Sequence, residues 1–212
     1  MERQNKMTVR LVLSGILIAL ATLLSMVKIF KGPFGGSITL FSMAPIFVLG
    51  YRYKWKWGIL CGVVYGILRI AAGQLTGSSA FAFLNIWEVM TVAALDYLVA
   101  YTVIGFSGIF KDKIKNHTVS LLSGSFFAWL LCFVSRIISG CIVYGSYADW
   151  FFKDEFVNGF STYILNNFPV NAITLIYSVI YNGSYMVPDM VIALIALVVI
   201  MQIKPLRKEI CQ

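Results

Sequence analysis

Long apolar runs alternate with short basic clusters along the chain. The runs predict helices over about 9–30, 38–50, 57–72, 84–107, 118–145 and 172–203, because a bilayer core of about 30 Å asks for roughly 20 consecutive apolar residues per crossing helix. Gly32, Pro33, Gly35 and Gly36 end the first run, since proline and paired glycines stop helices and shape turns. The second run is short and has Pro45 inside it, which predicts a broken or partly re-entrant helix. Residues 148–170 are polar and aromatic and are expected to fold over one face of the bundle. There is no internal repeat and no low-complexity segment. The pattern predicts an all-α membrane protein of six transmembrane helices, a single membrane domain over residues 1–212.

The basic residues orient it. Arg3, Lys6 and Arg10, then Arg52, Lys54 and Lys56, then Lys111, Lys113 and Lys115, and finally Lys204, Arg207 and Lys208 fall on one side of a six-helix arrangement. They account for twelve of the 17 basic residues. Cytoplasmic loops carry such an excess, so both termini are expected in the cytoplasm. The polar start before Leu11 leads into a run long enough to span, which predicts a retained first helix rather than a cleaved leader.

Composition sharpens this. Of 212 residues, 59% are hydrophobic and 12% charged, about half the charged fraction of a soluble domain. The net charge of +8 is spent on loops between apolar runs, which speaks for a membrane surface and against nucleic acid. Cys61, Cys132, Cys141 and Cys211 have no C-x-x-C spacing, and His117 is the one histidine, in a basic loop. That argues against a zinc site and reads the cysteines as packing residues. No cofactor or metal is implied.

An ionisable side chain within lipid is costly unless paired or hydrated, so each is a functional candidate. These are Arg69, Glu88, Asp96, Arg136 and Asp189, all expected in the outer halves of their helices and converging on an outward-facing pocket. Arg69 and Glu88 equally suit interface anchors that snorkel to headgroups. Asp96, in Ala93-Ala94-Leu95-Asp96-Tyr97, is too short to do so readily. In the last helix, Tyr177, Tyr181 and Tyr185 recur every four residues and share a face, with Ser178 and Asn182 beside it. Such a face stacks rings and orients a small polar ligand; an aromatic belt explains the tyrosines but less easily Asn182. Ser139-Gly140 and Tyr144-Gly145-Ser146-Tyr147, with Trp87, add rings to the outward side. Aromatic faces with a carboxylate suit a flat organic cation. Gly15 and Ala19 form a small-xxx-small pair on which another helix could dock. Phosphate-binding loops and nucleophile sets are absent, so an enzyme is not expected.

These segments, in order, resemble the thiamine-specific substrate-binding (S) components of energy-coupling factor (ECF) transporters, the ThiT or YuaJ family. The resemblance rests on Gly35-Gly36-Ser37-Ile38-Thr39-Leu40-Phe41-Ser42-Met43-Ala44-Pro45, Lys56-Trp57-Gly58, Tyr65-Gly66, Leu95-Asp96-Tyr97, Gly105-Phe106-Ser107-Gly108-Ile109-Phe110, Ser139-Gly140, Tyr144 to Ala148 and Tyr177 to Asp189. It implies a six-helix S-component bundle in the bacterial plasma membrane that binds thiamine or a thiamine-like compound at its outer face. By the same resemblance Asp96-Tyr97 meet the thiazolium, Tyr144 and Tyr177 bound the rings, Asn182 orients the pyrimidine, and Gly15 and Ala19 dock on the transmembrane coupling subunit, which works with two ATPases. Where the family has a histidine four residues before the glycine of Ser-Gly, this chain has Arg136, whose charge a carboxylate such as Asp96 or Glu88 would offset. A solitary proton-coupled transporter using Glu88, Asp96 or Asp189 as a relay, and an S component for another vitamin, are the alternatives.

Overall fold

The computed structural model describes residues 2–32, 36–75, 81 and 84–211; Pro33 and Gly35, expected to break the chain after the first helix, lie outside them. Helix α1 spans Glu2–Met26, about 37 Å at 1.5 Å per residue. It stops four residues short of the expected end. Lys28–Lys31 form a strand, β1, that pairs antiparallel with Ser37–Thr39, β2, and Gly32 donates its N–H to the Gly36 carbonyl at 2.6 Å. Hydropathy alone cannot tell an apolar helix end from an apolar strand.

After β2, Phe41 takes a left-handed φ of 56° and the chain enters α2, Ala44–Leu75. Pro45 therefore sits in the first turn of α2, where its missing N–H is harmless, and does not break the helix. The expected helices over 38–50 and 57–72 are the two arms of α2, which breaks at Lys54 (φ 66°, ψ 165°). A Cβ on Gly58 would lie 2.7 Å from Gly50 Cα. Eight residues of continuous helix would separate those positions by about 12 Å. The chain thus doubles back at Lys54, and Gly105 presses its backbone into the same crossing.

Helix α3 runs Ile86–Gly108, started by a capping box in which Asn85 accepts from Glu88 N and Glu88 Oε2 accepts from Asn85 N. It widens to a π-helix over Ala93–Val99 and tightens to a 3₁₀ turn over Gly105–Gly108. Helix α4 is His117–Val143, capped by Asn116. The stretch expected to cover one face contains a helical turn at Ala148–Trp150, a π turn at Phe151–Glu155, and helix α5, Gly159–Asn167. Helix α6 is Val170–Gln202, with Pro188 inside it, and a short amphipathic α7, Lys204–Cys211, closes the chain.

Among the described residues, five helices are long and apolar enough to cross a membrane, α2 being counted once although it folds back. The outer surface is apolar, with Leu11, Ile16, Leu23, Ile67, Ile142 and Ile195 all exposed. Polar side chains lie inside instead, among them Ser14, Ser25, Ser107, Ser135, Ser178, Asn182 and Asp189. This inversion is what a lipid solvent selects.

The basic clusters meet at one end. Arg10 donates to the Tyr53 carbonyl and lies 3.8 Å from the centre of the Trp57 ring. Lys54 pairs with Asp112 at 2.7 Å, Arg52 with Glu209 at 3.1 Å, and Lys111 donates to the Arg52 carbonyl. The Lys54 ammonium holds the exposed Asp112 carboxyl below its ordinary range, by hydrogen bonding first. The β1–β2 hairpin and residues 148–167 lie at the opposite end, and the site is built beneath them.

Candidate functional site

Asp96 and Tyr97 lie in the π-helical stretch of α3. A π turn shifts the backbone ladder by one residue and re-aims the side chains on it, and such turns favour functional sites. Leu95 O accepts from Ala100 N in the widened register and from Ser135 Oγ of α4 at 2.7 Å. Arg136 follows Ser135 and stands one turn before Gly140. There α4 and α6 approach so closely that a Cβ on Gly140 would fall 2.3 Å from Ser178 Oγ. Ser178 donates to the Ile137 carbonyl, and Asn182 Nδ2 donates to Ser178 O at 2.9 Å. Asn182 Oδ1 accepts from the Tyr185 hydroxyl. The amide face of α6 is therefore a fixed network rather than a loose side chain.

Two small adjoining cavities result. The first, about 50 Å³, lies under the β hairpin and is lined by Ser37, Thr39, Ser42, Arg69, Asp96, Tyr97, Tyr101, Arg136, Tyr185 and Asp189, among others. The second, about 30 Å³, is lined by Asp96, Arg136, Gly140, Tyr144, Tyr177, Ser178, Tyr181, Asn182 and Tyr185. Asp96, Arg136 and Tyr185 form the wall between them. Each cavity as it stands holds water and little more, so a ring-bearing ligand requires the two to merge. Asp96 Oδ1, Arg136 Nε, Ser139 Oγ and Tyr177 Oη are buried without a hydrogen-bond partner among the described residues. Asp96, Arg136 and Tyr177 among these line the second cavity, where a ligand or ordered water would satisfy them.

The second cavity is roofed by the segment after α4. Phe151 packs edge-on to Tyr177, with ring centres 5.1 Å apart, and Tyr177 stacks on Tyr181 at 5.9 Å and 27°. Tyr181 in turn meets Tyr185 edge-on at 5.7 Å. The stripe of tyrosines on α6 is thus one aromatic wall running past both cavities.

Of the residues singled out in the sequence, Asp96, Tyr97, Arg136, Tyr144, Tyr177 and Asn182 line one cavity or both. Trp87 does not join them: it is 75% exposed in the first turn of α3. Glu88 is likewise outside both, engaged in its capping box. Gly15 and Ala19 lie on the exposed face of α1, with open space around Gly15. Arg69, for which the sequence allowed either a pocket role or a snorkelling anchor, lines the first cavity, and Tyr101, not singled out in the sequence, lines it too. Arg69 is locked inside, its Nε donating to the Tyr101 hydroxyl at 3.1 Å and its NH1 to the Ser25 carbonyl at 3.3 Å. Tyr101 itself follows Tyr97 at helical spacing, the one signal that could have marked it. Outside the helices, Lys28 of β1 is partly buried. That burial, then the charges of Arg69 and Lys31, hold its ammonium below the ordinary lysine range.

A multi-pass helical membrane protein with a polar, aromatic-walled cavity near one end is the class these features define: a binder or carrier of a small polar solute. Residues 11–154 match the thiamine transporter protein family, Thia_YuaJ, and the chain belongs to it. It is 30% identical to the thiamine transporter ThiT of Bacillus subtilis (strain 168), over 95% of each chain. Its fold is similar to a solved structure of ThiT from Listeria monocytogenes, with a TM-score of 0.63 and 19% identity, over 97% of this chain and 98% of that one.

Proposed function

We propose that this chain is the substrate-binding membrane subunit of an ECF-type uptake system for thiamine. The observation that carries the reading is the position of Asp96, whose Oδ1 is buried without a hydrogen-bond partner among the described residues and which lines both cavities, one beside Tyr97 and the other beside Tyr144, Tyr177 and Tyr181. A carboxylate among aromatic faces attracts a flat organic cation by charge and by ring quadrupole together. In this reading Asp96 meets the thiazolium, Tyr97, Tyr144 and Tyr177 bound the rings, and Asn182 holds the pyrimidine edge together with Tyr185.

The whole chain acts as one membrane domain with six crossings and both termini in the cytoplasm of a bacterial cell. The second crossing is the first arm of α2 completed by residues 37–43, since ten helical residues reach only about 15 Å. The basic clusters gathered around Arg52 support the orientation. The chain carries no phosphate-binding loop, so energy comes from elsewhere: a coupling subunit docked on the exposed Gly15–Ala19 face of α1, and two ATPases.

Thiamine binding to the purified chain, followed by quenching of tryptophan fluorescence, tests this. A Kd of about a micromolar or tighter, roughly −8 kcal/mol, is expected. A folded protein that shows no quenching at millimolar thiamine overturns it. Uptake by the chain alone in liposomes, driven by a pH gradient, would replace the subunit reading with a solitary transporter.

A further inference from the structure

A groove of about 490 Å³ runs between α1 and the last turns of α6, away from both cavities of the candidate site. Leu13, Leu17, Leu20 and Leu24 line it from α1, and Ala196 and Ile200 from α6. Ala44, Pro45 and Val48, all buried in the first arm of α2, form its floor, and their small size is what leaves it deep. From Leu13 to Leu24 is about 17 Å of helix at 1.5 Å per residue. That is roughly one leaflet, half of a hydrocarbon core about 30 Å thick. At helical spacing Gly15 and Ala19 fall on the other side of α1 from this leucine seam, so the groove is a different surface from the proposed docking face.

The side chains lining the groove are apolar except at the end nearest the basic clusters, where Arg52 and Glu209 face it. The Arg52 side chain is only 10% exposed. Its NH2 donates to Glu209 Oε2 at 3.1 Å, but its Nε is buried without a hydrogen-bond partner among the described residues. A buried guanidinium N–H is costly until an oxygen meets it. Glu209 offsets one positive charge. Lys204, Arg207 and Lys208 are exposed on the same α7, and Arg10 lies beside Tyr53, so the mouth stays cationic. Leu206 and Ile210, four apart on α7, turn to the groove, which is the pattern of a helix lying at headgroup level. An apolar trough one leaflet long with an unsatisfied cationic end fits an amphiphile with a hydrocarbon chain and an anionic head. A purely apolar protein helix could cover the trough but would leave Arg52 Nε without an acceptor.

We propose that this groove is a binding site for an anionic glycerophospholipid from the leaflet at the basic end. One acyl chain lies along the leucine seam of α1, a phosphate oxygen accepts from Arg52 Nε, and the basic residues of α7 draw the head group to the mouth. The lipid fills the space between α1 and α6 and holds α7 on the membrane surface. In the orientation proposed above the leaflet is the cytoplasmic one. The inference concerns the chain's fit to the bilayer and not its solute, so it stands or falls apart from the thiamine reading.

The test is native mass spectrometry of the purified full chain in detergent, titrated with dioleoyl phosphatidylglycerol, dioleoyl phosphatidylcholine and glycerol phosphate. The wild type is expected to bind the glycerol lipid at least about tenfold tighter than the choline lipid, as one charge-assisted hydrogen bond allows. Glycerol phosphate, which has the anion but no chain, should not displace it at millimolar concentration. Arg52→Gln should remove most of the preference, whereas Lys113→Gln, at an exposed position of the same end, should keep it. Ala196→Phe, which sets a ring in the groove, should weaken both lipids. Equal binding of the two lipids by the wild type overturns the inference without any variant having to fold. Displacement by glycerol phosphate would make the site one for a free anion and overturn it too. So would an unchanged preference in Arg52→Gln, or unchanged binding in Ala196→Phe. No lipid held by folded wild type also overturns it and leaves the groove to a protein helix.

Discussion

Thr39 and Asp189 stand 150 positions apart and are joined at a single carboxylate oxygen. Thr39 N donates to Asp189 Oδ1 at 2.7 Å and Thr39 Oγ1 donates to the same atom at 2.8 Å, while Ser42 Oγ lies 2.6 Å from Thr39 Oγ1. The pair ties β2, and with it the hairpin over the site, to the middle of α6. Thr39→Val keeps the backbone bond and the volume but deletes the hydroxyl from a buried charge-assisted pair. It should destabilise the protein by about 1.5–3 kcal/mol, read as a lowered midpoint in fluorescence-detected thermal unfolding. An unchanged midpoint would show that the hydroxyl is dispensable there.

Asp96 carries the attraction for a cation in the proposed site. Asp96→Asn keeps the size and one acceptor and removes the charge. Affinity for thiamine should fall by at least about tenfold, or about 1.4 kcal/mol, measured on variant protein shown to be folded. Unaltered affinity would take Asp96 out of the binding role.

Gly140 is where α4 and α6 touch, and no side chain fits between them. Gly140→Ala would drive a methyl group into Ser178 Oγ. The expected loss is about 1–3 kcal/mol of stability from overpacking, accompanied by weaker ligand binding, because Ser178 and Asn182 sit on the displaced face. Adding Ser178→Gly to Gly140→Ala frees the space and should restore part of the stability. No recovery in the double variant would mean that the contact is not what excludes alanine.

The proposed orientation is open to labelling from either side. Phe160 in α5 and Lys113 before α4 are both exposed and lie at opposite ends of the molecule. In a Cys211→Ser background, a membrane-impermeant maleimide applied to intact cells should label Phe160→Cys and spare Lys113→Cys until the cells are opened. The reverse pattern would invert the topology.

Much of the site was legible because lipid makes charge conspicuous. Asp96, Arg136 and Asp189 stand out in apolar runs, and the four-residue spacing of Tyr177, Tyr181 and Tyr185 puts them on one face whatever surrounds the helix. Trp87 and Glu88 share that prominence but serve the start of α3 outside the cavities, since a helix N-terminus attracts polar and interfacial residues for its own capping. Arg69 is ambiguous in sequence because an arginine can snorkel. Its bond to Tyr101, on another helix, is what holds it inside.

Composition and periodicity alone established a helical membrane protein, the places where its basic residues gather and the charged groups that need partners, since each depends on local residue types and on the solvent they face. Tertiary packing decided who the partners are. The reversal of α2 at Lys54 needs the bare backbones of Gly50, Gly58 and Gly105 at one crossing. The π turn that aims Asp96 is steadied by Ser135 of another helix, and the Thr39–Asp189 pair closes across most of the chain. Such long-range pairings are set by complementary surfaces that meet only in the folded bundle, so no window of neighbouring residues encodes them.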